Sequence, residues 1–189
     1  MNGGKGVDAR IVRDTDASAD RMLIELVSHH YRIHPRDLQV RAHARGNPTV
    51  TDGTTEVECS VSRSHPYTAV AILTPGETGW IGIDIEPADA LNVPPHTFTH
   101  ILGPNERPHF TDLPEDDLGR ALLRAWVRKE AVLKSMHTGF GAYEPAQIEC
   151  GPPNNAECTS HPWITVSDMV TEEYVAALAV NPAGGHGRE

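Results

Sequence analysis

The sequence predicts an α+β fold built from two small lobes in one chain, and three observations point there. Segments that alternate apolar and polar residues are separated by Pro- and Gly-rich turns, two segments carry helical periodicity instead, and one strand–turn–strand pattern occurs twice. The first copy reads SVS at 60–62 followed by Tyr67, Ala69 and Ala71, and the second reads TVS at 165–167 followed by Tyr174, Ala176 and Leu178. So short a match reads either as chance or as a duplication. In the second case two α+β halves face each other across a cleft.

Element by element, residues 1–15 and 181–189 read as loose ends. Between Asp16 and Ile33 the apolar residues Met22, Leu23, Leu26, Val27 and Ile33 suit a helix, with Asp16 or Ser18 as N-cap. LQVRA at 38–42 alternates as a strand, RGNP at 45–48 is a turn, and CSVSRSHPYTAVAIL at 59–73 is strand, turn, strand. PGETG at 75–79 turns the chain into a strand, IGIDIE, at 81–86. A loop follows Pro87 through Pro94 and Pro95, with a short helix near 96–102. A long helix spans roughly Pro114 to Met136, acidic in its first turn and carrying Lys134 in its last, and Gly139 and Gly141 end it. GPPNN at 151–155 is a turn and 163–180 a closing hairpin. The lobes are placed at 1–90 and 91–189, with the site in the cleft between them.

Composition narrows the function classes. A chain of 189 residues holds one sizeable core or two small lobes sharing one. A net charge of −10 argues against general affinity for nucleic acid, while leaving room for a small phosphorylated ligand. No apolar run approaches the roughly 18–20 residues of a membrane helix, and the polar start MNGGKGVDARIVRD lacks a signal peptide's apolar stretch. Cys59, Cys150 and Cys158 are odd in number and lack metal-ligand spacing, so they read as reduced thiols of a cytoplasmic protein. The eleven histidines scatter without a zinc-binding pair.

The carboxylates carry the chemistry. In IGIDIE, alternation puts Asp84 and Glu86 on one face of the strand. In RAWVRKEAVLK, Leu123, Trp126, Val127, Glu130 and Lys134 share one side of the helix, so Glu130 lies where the helix packs against a sheet. Each feature has an ordinary reading: Glu130 and Lys134 as an i, i+4 pair, and Asp84 and Glu86 as solvent-facing residues of an edge strand. Taken together, three acids beside apolar faces repel one another unless a hard cation gathers them, and Mg²⁺ suits carboxylates together with phosphate oxygens. Arg120, Arg124 and Arg128 form a separate outward stripe, either the solvated side of the helix or a docking face for an acidic partner. Trp80 and Trp163 read as core or hairpin residues, and Phe140 as a candidate lining of a ligand channel.

IGIDIEP followed by WVRKEAVLK resembles the signature pair of the 4′-phosphopantetheinyl transferases, a G-[IV]-D-[IV]-E strand and a W-x-x-K-E-A/S-x-x-K helix. Gly82, Asp84, Glu86, Trp126, Lys129, Glu130, Ala131 and Lys134 fill the matching positions. The pair is specific, and weaker echoes in YRIHPRDLQVRAHARGNP, SVSRSHPYTAVAI and YVAALAV extend the likeness from about residue 16 to 180. It is similar to the larger, Sfp-type branch, whose single chain folds as two pseudo-twofold α+β lobes. The resemblance implies transfer of the phosphopantetheine arm of coenzyme A to a serine of an acyl or peptidyl carrier protein, releasing 3′,5′-ADP. By resemblance Asp84, Glu86 and Glu130 hold Mg²⁺, or Mn²⁺ in its place. Glu130 takes the serine proton directly or through a water, and Lys134 steadies the diphosphate, with Asp84 the third catalytic residue. Coenzyme A contacts fall to Ser62, Arg63, Lys129, Lys134 and His65.

Three departures mark the chain. The family histidine falls on Arg63, or on His65 if the alignment shifts by two; Arg63 is favoured because a guanidinium still grips phosphate. A lysine of the family's G-K-P turn is Asn47, and the basic segment ahead of the first helix is reduced to Arg10, Arg13 and Arg21. The expectation is therefore a Mg²⁺-dependent monomeric transferase that engages neither nucleic acid nor membrane. Its rivals are a catalytically weakened coenzyme A- or carrier-binding protein and an unrelated Mg²⁺ enzyme acting on another diphosphate.

Overall fold

Alternation becomes pairing along every strand expected from the sequence. The computed structural model describes residues 6–13, 18–42, 47–90, 100–138 and 143–182. The expected strands are β2 (Gln39–Arg41), β4 (Glu56–Ser64), β5 (Tyr67–Leu73), β6 (Trp80–Pro87), β7 (Thr165–Val170) and β8 (Tyr174–Asn181). A three-residue strand, β3 (Thr49–Thr51), joins them. The two main helices are α1 (Ala19–Tyr31) and α3 (Glu115–Ser135), with a single turn, α2 (Pro108–Thr111), between. Ser18 caps α1, its hydroxyl accepting from Arg21 N at 3.3 Å. The short helix expected near 96–102 falls mostly on 91–99, outside the described residues, as do Gly139, Gly141 and Phe140.

The start of the chain corrects the expectation of a loose end. Val7–Arg13 is a full strand, β1, pairing antiparallel with β5 from Val7↔Leu73 to Arg13↔Tyr67. Its alternation is written in VDARIVR, but three charged residues in seven disguise it. Val7, Ala9 and Ile11 turn toward the interior.

Two antiparallel sheets result, one in the order β1-β5-β4-β3-β2 and one in the order β6-β8-β7. β6 pairs antiparallel with β8 from Trp80↔Asn181 to Pro87↔Tyr174, so it belongs to the second sheet. The inner faces meet in one apolar layer: Tyr67, Ala69 and Ala71 of β5, Ile81, Ile83 and Ile85 of β6, and Tyr174 and Ala176 of β8. On the outer faces, α1 covers the first sheet through Leu23, Leu26 and Val27, and α3 covers the second through Leu123, Val127 and Ala131. No helix among the described residues is long and apolar enough to cross a membrane.

The duplication is visible in the pairing. β1–α1–β4–β5 and β6–α3–β7–β8 each run strand, helix, strand, strand, with the last strand between the other two. Tyr67 pairs with Arg13 and Tyr174 with Pro87, and the two tyrosine rings meet edge to face at 5.3 Å. Counting from those tyrosines along the ladders places Ser60, opposite Ala71, as the counterpart of Ser167, opposite Leu178. The SVS–TVS match in the sequence is therefore two residues out of register, while the tyrosine match is in register.

Candidate functional site

β6 is an edge strand of its sheet and abuts β4 without a ladder, so its edge groups need other partners. Side chains supply them. Ile83 N donates to Ser60 Oγ at 3.1 Å, Ile83 O accepts from Lys134 Nζ at 2.9 Å, and Ile81 O accepts from Asn47 Nδ2 at 2.5 Å. One strand edge is thereby tied to β4, to α3 and to the chain entering β3.

Gly82 sets how close α3 comes. A Cβ on Gly82 would lie 1.9 Å from Ala131 O and 2.7 Å from Ser135 N, so only glycine lets the helix backbone rest on the strand here. That approach brings Glu130 and Lys134, on either side of Ala131, over Asp84 and Glu86, the next two residues on the same face of β6.

The acids are held by a ladder of serines on β4. Ser62 Oγ donates to Asp84 Oδ1 at 2.8 Å, and Ser64 Oγ donates to Glu86 Oε2. Lys134 Nζ also reaches Asp84 Oδ1, at 2.7 Å. Asp84 is 6% exposed, and its Oδ2 is buried without a hydrogen-bond partner among the described residues. Burial raises the Glu86 carboxyl above its ordinary value, opposed by the Ser64 hydrogen bond and reinforced by the Asp84 charge. Glu130, 7% exposed, is pushed up to about 7, first by burial and then by the charge of Asp84, with Lys134 pulling the other way. A carboxyl so tuned accepts a proton near neutral pH.

The structure draws these acids together and leaves other expected residues elsewhere. Lys134 is bridged to Asp84, so the i, i+4 pairing with Glu130 is not its ion pair. Lys129 is fully buried, and its three donors go to Glu106 Oε2 at 2.6 Å, Pro145 O at 3.2 Å and Ile148 O. An ammonium has three protons, so none is left for a phosphate. Lys129 thus belongs to the core of the second lobe rather than to a ligand surface. Arg63 shares its face of β4 with Cys59 and Val61, the face packed against α1, while Ser62 and Ser64 face the acids. Alternation along β4 thereby puts Arg63 on the opposite face of the strand from the acids. His65 lies in the exposed β4–β5 turn.

The arginine stripe is solvated at only one end: Arg120 is exposed, Arg124 half-buried and Arg128 buried. Arg128 is 1% exposed, with a two-pronged bridge to Asp168 at 2.6 and 2.8 Å and further bonds to Pro152 O, Pro153 O and Asn155 O. Arg124 reaches Pro153 O at 3.4 Å and Arg120 reaches Thr171 O. The stripe faces the β7 side of the lobe, which the helical wheel of α3 alone does not reveal. Trp80 stacks on His137 with ring centroids 4.2 Å apart, whereas Trp163 is half exposed and is no core residue. Of the expected replacement cations, Arg10 and Arg21 both bind Glu25, and Arg13 lies 3.6 Å from Glu173.

Ser60 and Ser64 escaped sequence reasoning, although S-x-S-x-S on an alternating strand is itself the signal. Among the described residues no group of three or more His, Cys, Asp or Glu is already arranged to hold a metal ion. The donor set nonetheless fits a hard divalent cation in its chemistry. Burial and the charge of Asp84 raise the proton affinity of Glu86 and Glu130, and the partnerless Asp84 Oδ2 is a buried oxygen that lacks a positive partner.

Comparison with known proteins gives two findings. A family model described as the 4′-phosphopantetheinyl transferase superfamily matches residues 80–179, which holds both β6 and α3. The 4′-phosphopantetheinyl transferase HetI of Nostoc sp. strain PCC 7120 is 26% identical over 149 residues, covering 78% of this chain and 62% of that protein. The chain thus spans a little under two thirds of the relative's length.

Proposed function

The chain belongs to the 4′-phosphopantetheinyl transferase superfamily, and from that premise we propose that it transfers the phosphopantetheine arm of coenzyme A to a serine of an acyl or peptidyl carrier protein. The observation that carries this reading is the contact at Gly82, which gathers Asp84, Glu86, Glu130 and Lys134 into one seam. In the reaction the serine oxygen forms a bond to the phosphorus of the arm, and the diphosphate P–O bond breaks to release 3′,5′-ADP. Glu130 receives the serine proton, for which its raised proton affinity suits it. Lys134, fixed by Asp84 and Ile83 O, places a positive charge beside the departing phosphate. Ser62 and Ser64 orient Asp84 and Glu86. Asp84, Glu86 and Glu130 would hold Mg²⁺, which when bound neutralises diphosphate charge and polarises the phosphorus.

The finer features of the reading go with it: the larger, Sfp-type branch, a monomer, and a cytoplasmic setting in keeping with three buried free thiols. The occupied cations give one specific point to the weakened, binding-only alternative. Lys129 and Asn47 are consumed internally and Arg63 faces α1, so coenzyme A phosphates find fewer partners than the resemblance implies.

The test is intact-mass spectrometry of apo acyl and peptidyl carrier proteins incubated with this protein, coenzyme A and Mg²⁺. A mass gain of one phosphopantetheine arm is expected, lost with EDTA and reduced on the order of 10³-fold in rate by Asp84→Ala or Glu130→Ala. Carrier binding without any mass gain would select the binding-only alternative.

A further inference from the structure

We propose that Asn47 is a positioning residue whose side-chain amide locks the last turn of α3 to the free edge of β6, setting Glu130 and Lys134 over Asp84 and Glu86. Asn47 is buried at the meeting point of β4, β6 and α3. Its Nδ2 donates to Ile81 O at 2.5 Å and to Lys134 O at 3.1 Å, while its Oδ1 accepts from Ser60 Oγ at 3.3 Å. Ser60 in turn accepts from Ile83 N at 3.1 Å. Both partners of the Nδ2 group are carbonyls, so the amide has one orientation; turned over, its oxygen would face two acceptors.

The grip falls where a helix most needs it. The last carbonyls of an α-helix have no partner within the helix. Lys134 O takes His137 N at 3.2 Å together with Asn47, and Ser135 O takes Asn181 Nδ2 at 3.2 Å from the end of β8. The C-terminus of α3 is therefore held from both sheets, by one asparagine on each side. Lys134 is anchored twice, through its carbonyl to Asn47 and through its ammonium to Ile83 O and Asp84. A lysine at position 47, where the resemblance places a ligand-binding cation, could not accept from Ser60 and would bring a charge into this buried junction. The position serves the scaffold of the site, and coenzyme A has no claim on it.

The kinetic part of the test rests on the transferase reading, and the exchange part does not. Asn47→Ala, Asn47→Lys and the milder Ser60→Ala are compared with wild type by hydrogen–deuterium exchange and by transfer kinetics. Exchange should quicken in peptides covering 131–138 and 81–85 while α1 peptides stay unchanged. The kcat should fall on the order of 10- to 100-fold in both Asn47 variants, the loss expected when reacting groups are displaced by about an ångström. The KM for coenzyme A should move by less than about twofold, because no ligand contact is removed. Ser60→Ala should fall between and decides the matter if the Asn47 variants do not fold. Unchanged exchange in 131–138, or an Asn47→Lys variant with lower KM and intact kcat, would overturn the proposal. If wild type modifies no carrier, the transferase reading falls while the exchange result still decides the clamp.

Discussion

Register position by register position, the two halves of the molecule carry opposite chemistry on the same frame. Where β6 presents Gly82, Asp84 and Glu86 toward its helix, β1 presents Asp8, Arg10 and Val12 at the matching places. Arg10 bridges to Glu25 of α1 at 2.8 Å, with both side chains more than 40% exposed. Asp84 bridges to Lys134 of α3 at 2.7 Å, with side-chain exposures of 8% and 23%. An exposed pair gains little in water, roughly 0.2–1 kcal/mol. At the buried site, lost hydration and the charge of Asp84 push the proton affinity of Glu130 up, and one Asp84 oxygen is left unpartnered. One copy of the unit covers a core and the other holds a seam of buried acids, and Gly82 lets the helix of the second approach its strand closely.

That contrast can be broken first at the buried charge beneath the seam. Lys129→Ala leaves Glu106, 2% exposed, unpaired in the interior, and a loss of about 3–5 kcal/mol in urea unfolding is expected. Unaltered stability with a raised KM for coenzyme A would return Lys129 to the ligand surface. Next in size is the approach itself. Gly82→Ala forces Ala131 O away from the strand and should cost about 3 kcal/mol, together with most of the transfer activity. The matching change in the other half, Asp8→Ala, removes only a half-exposed contact to His30 and should cost about 1 kcal/mol or less. Equal losses at the two positions would mean that the helices sit alike in both halves.

The smallest effect is a dependence on pH. Glu130 has a folded value of about 7 against an ordinary 4.5, so the native state holds its proton more tightly than the unfolded chain. Its contribution is favourable below about pH 4.5 and is lost as pH rises through about 7. Glu130→Gln, measured in EDTA, should therefore raise the melting temperature above pH 7 relative to wild type and leave it nearly unchanged at low pH. A lower melting temperature above pH 7 would show that the charged carboxylate is stabilised in the fold.

Much of this was legible in the chain. Alternation located β4 to β8, helical spacing and charge order located α3 to within a residue at each end, and IGIDIE with WVRKEAVLK marked the acids and the lysine. The misreadings share one cause. Periodicity assigns a residue to a face of its own element but does not say what stands opposite. Arg128 has the spacing of a solvated stripe and is buried because Asp168 and a loop of carbonyls lie across from it. Lys129 sits in the signature helix beside Glu130, and only the path of the chain through Glu106 and Ile148 turns it inward. β1 was hidden because Asp8, Arg10 and Arg13 interrupt its four apolar residues until β5 is there to pair with.

By itself the sequence determined the elements, the family and which strand and helix carry the clustered acids, because these depend on short-range backbone preferences and on residue types at fixed spacing. Tertiary structure alone decided which cations remain available to a ligand and how far the acids are removed from water. It also decided that Asn47 belongs to the helix end. Those properties depend on distances between segments far apart in the chain, and no local pattern encodes them.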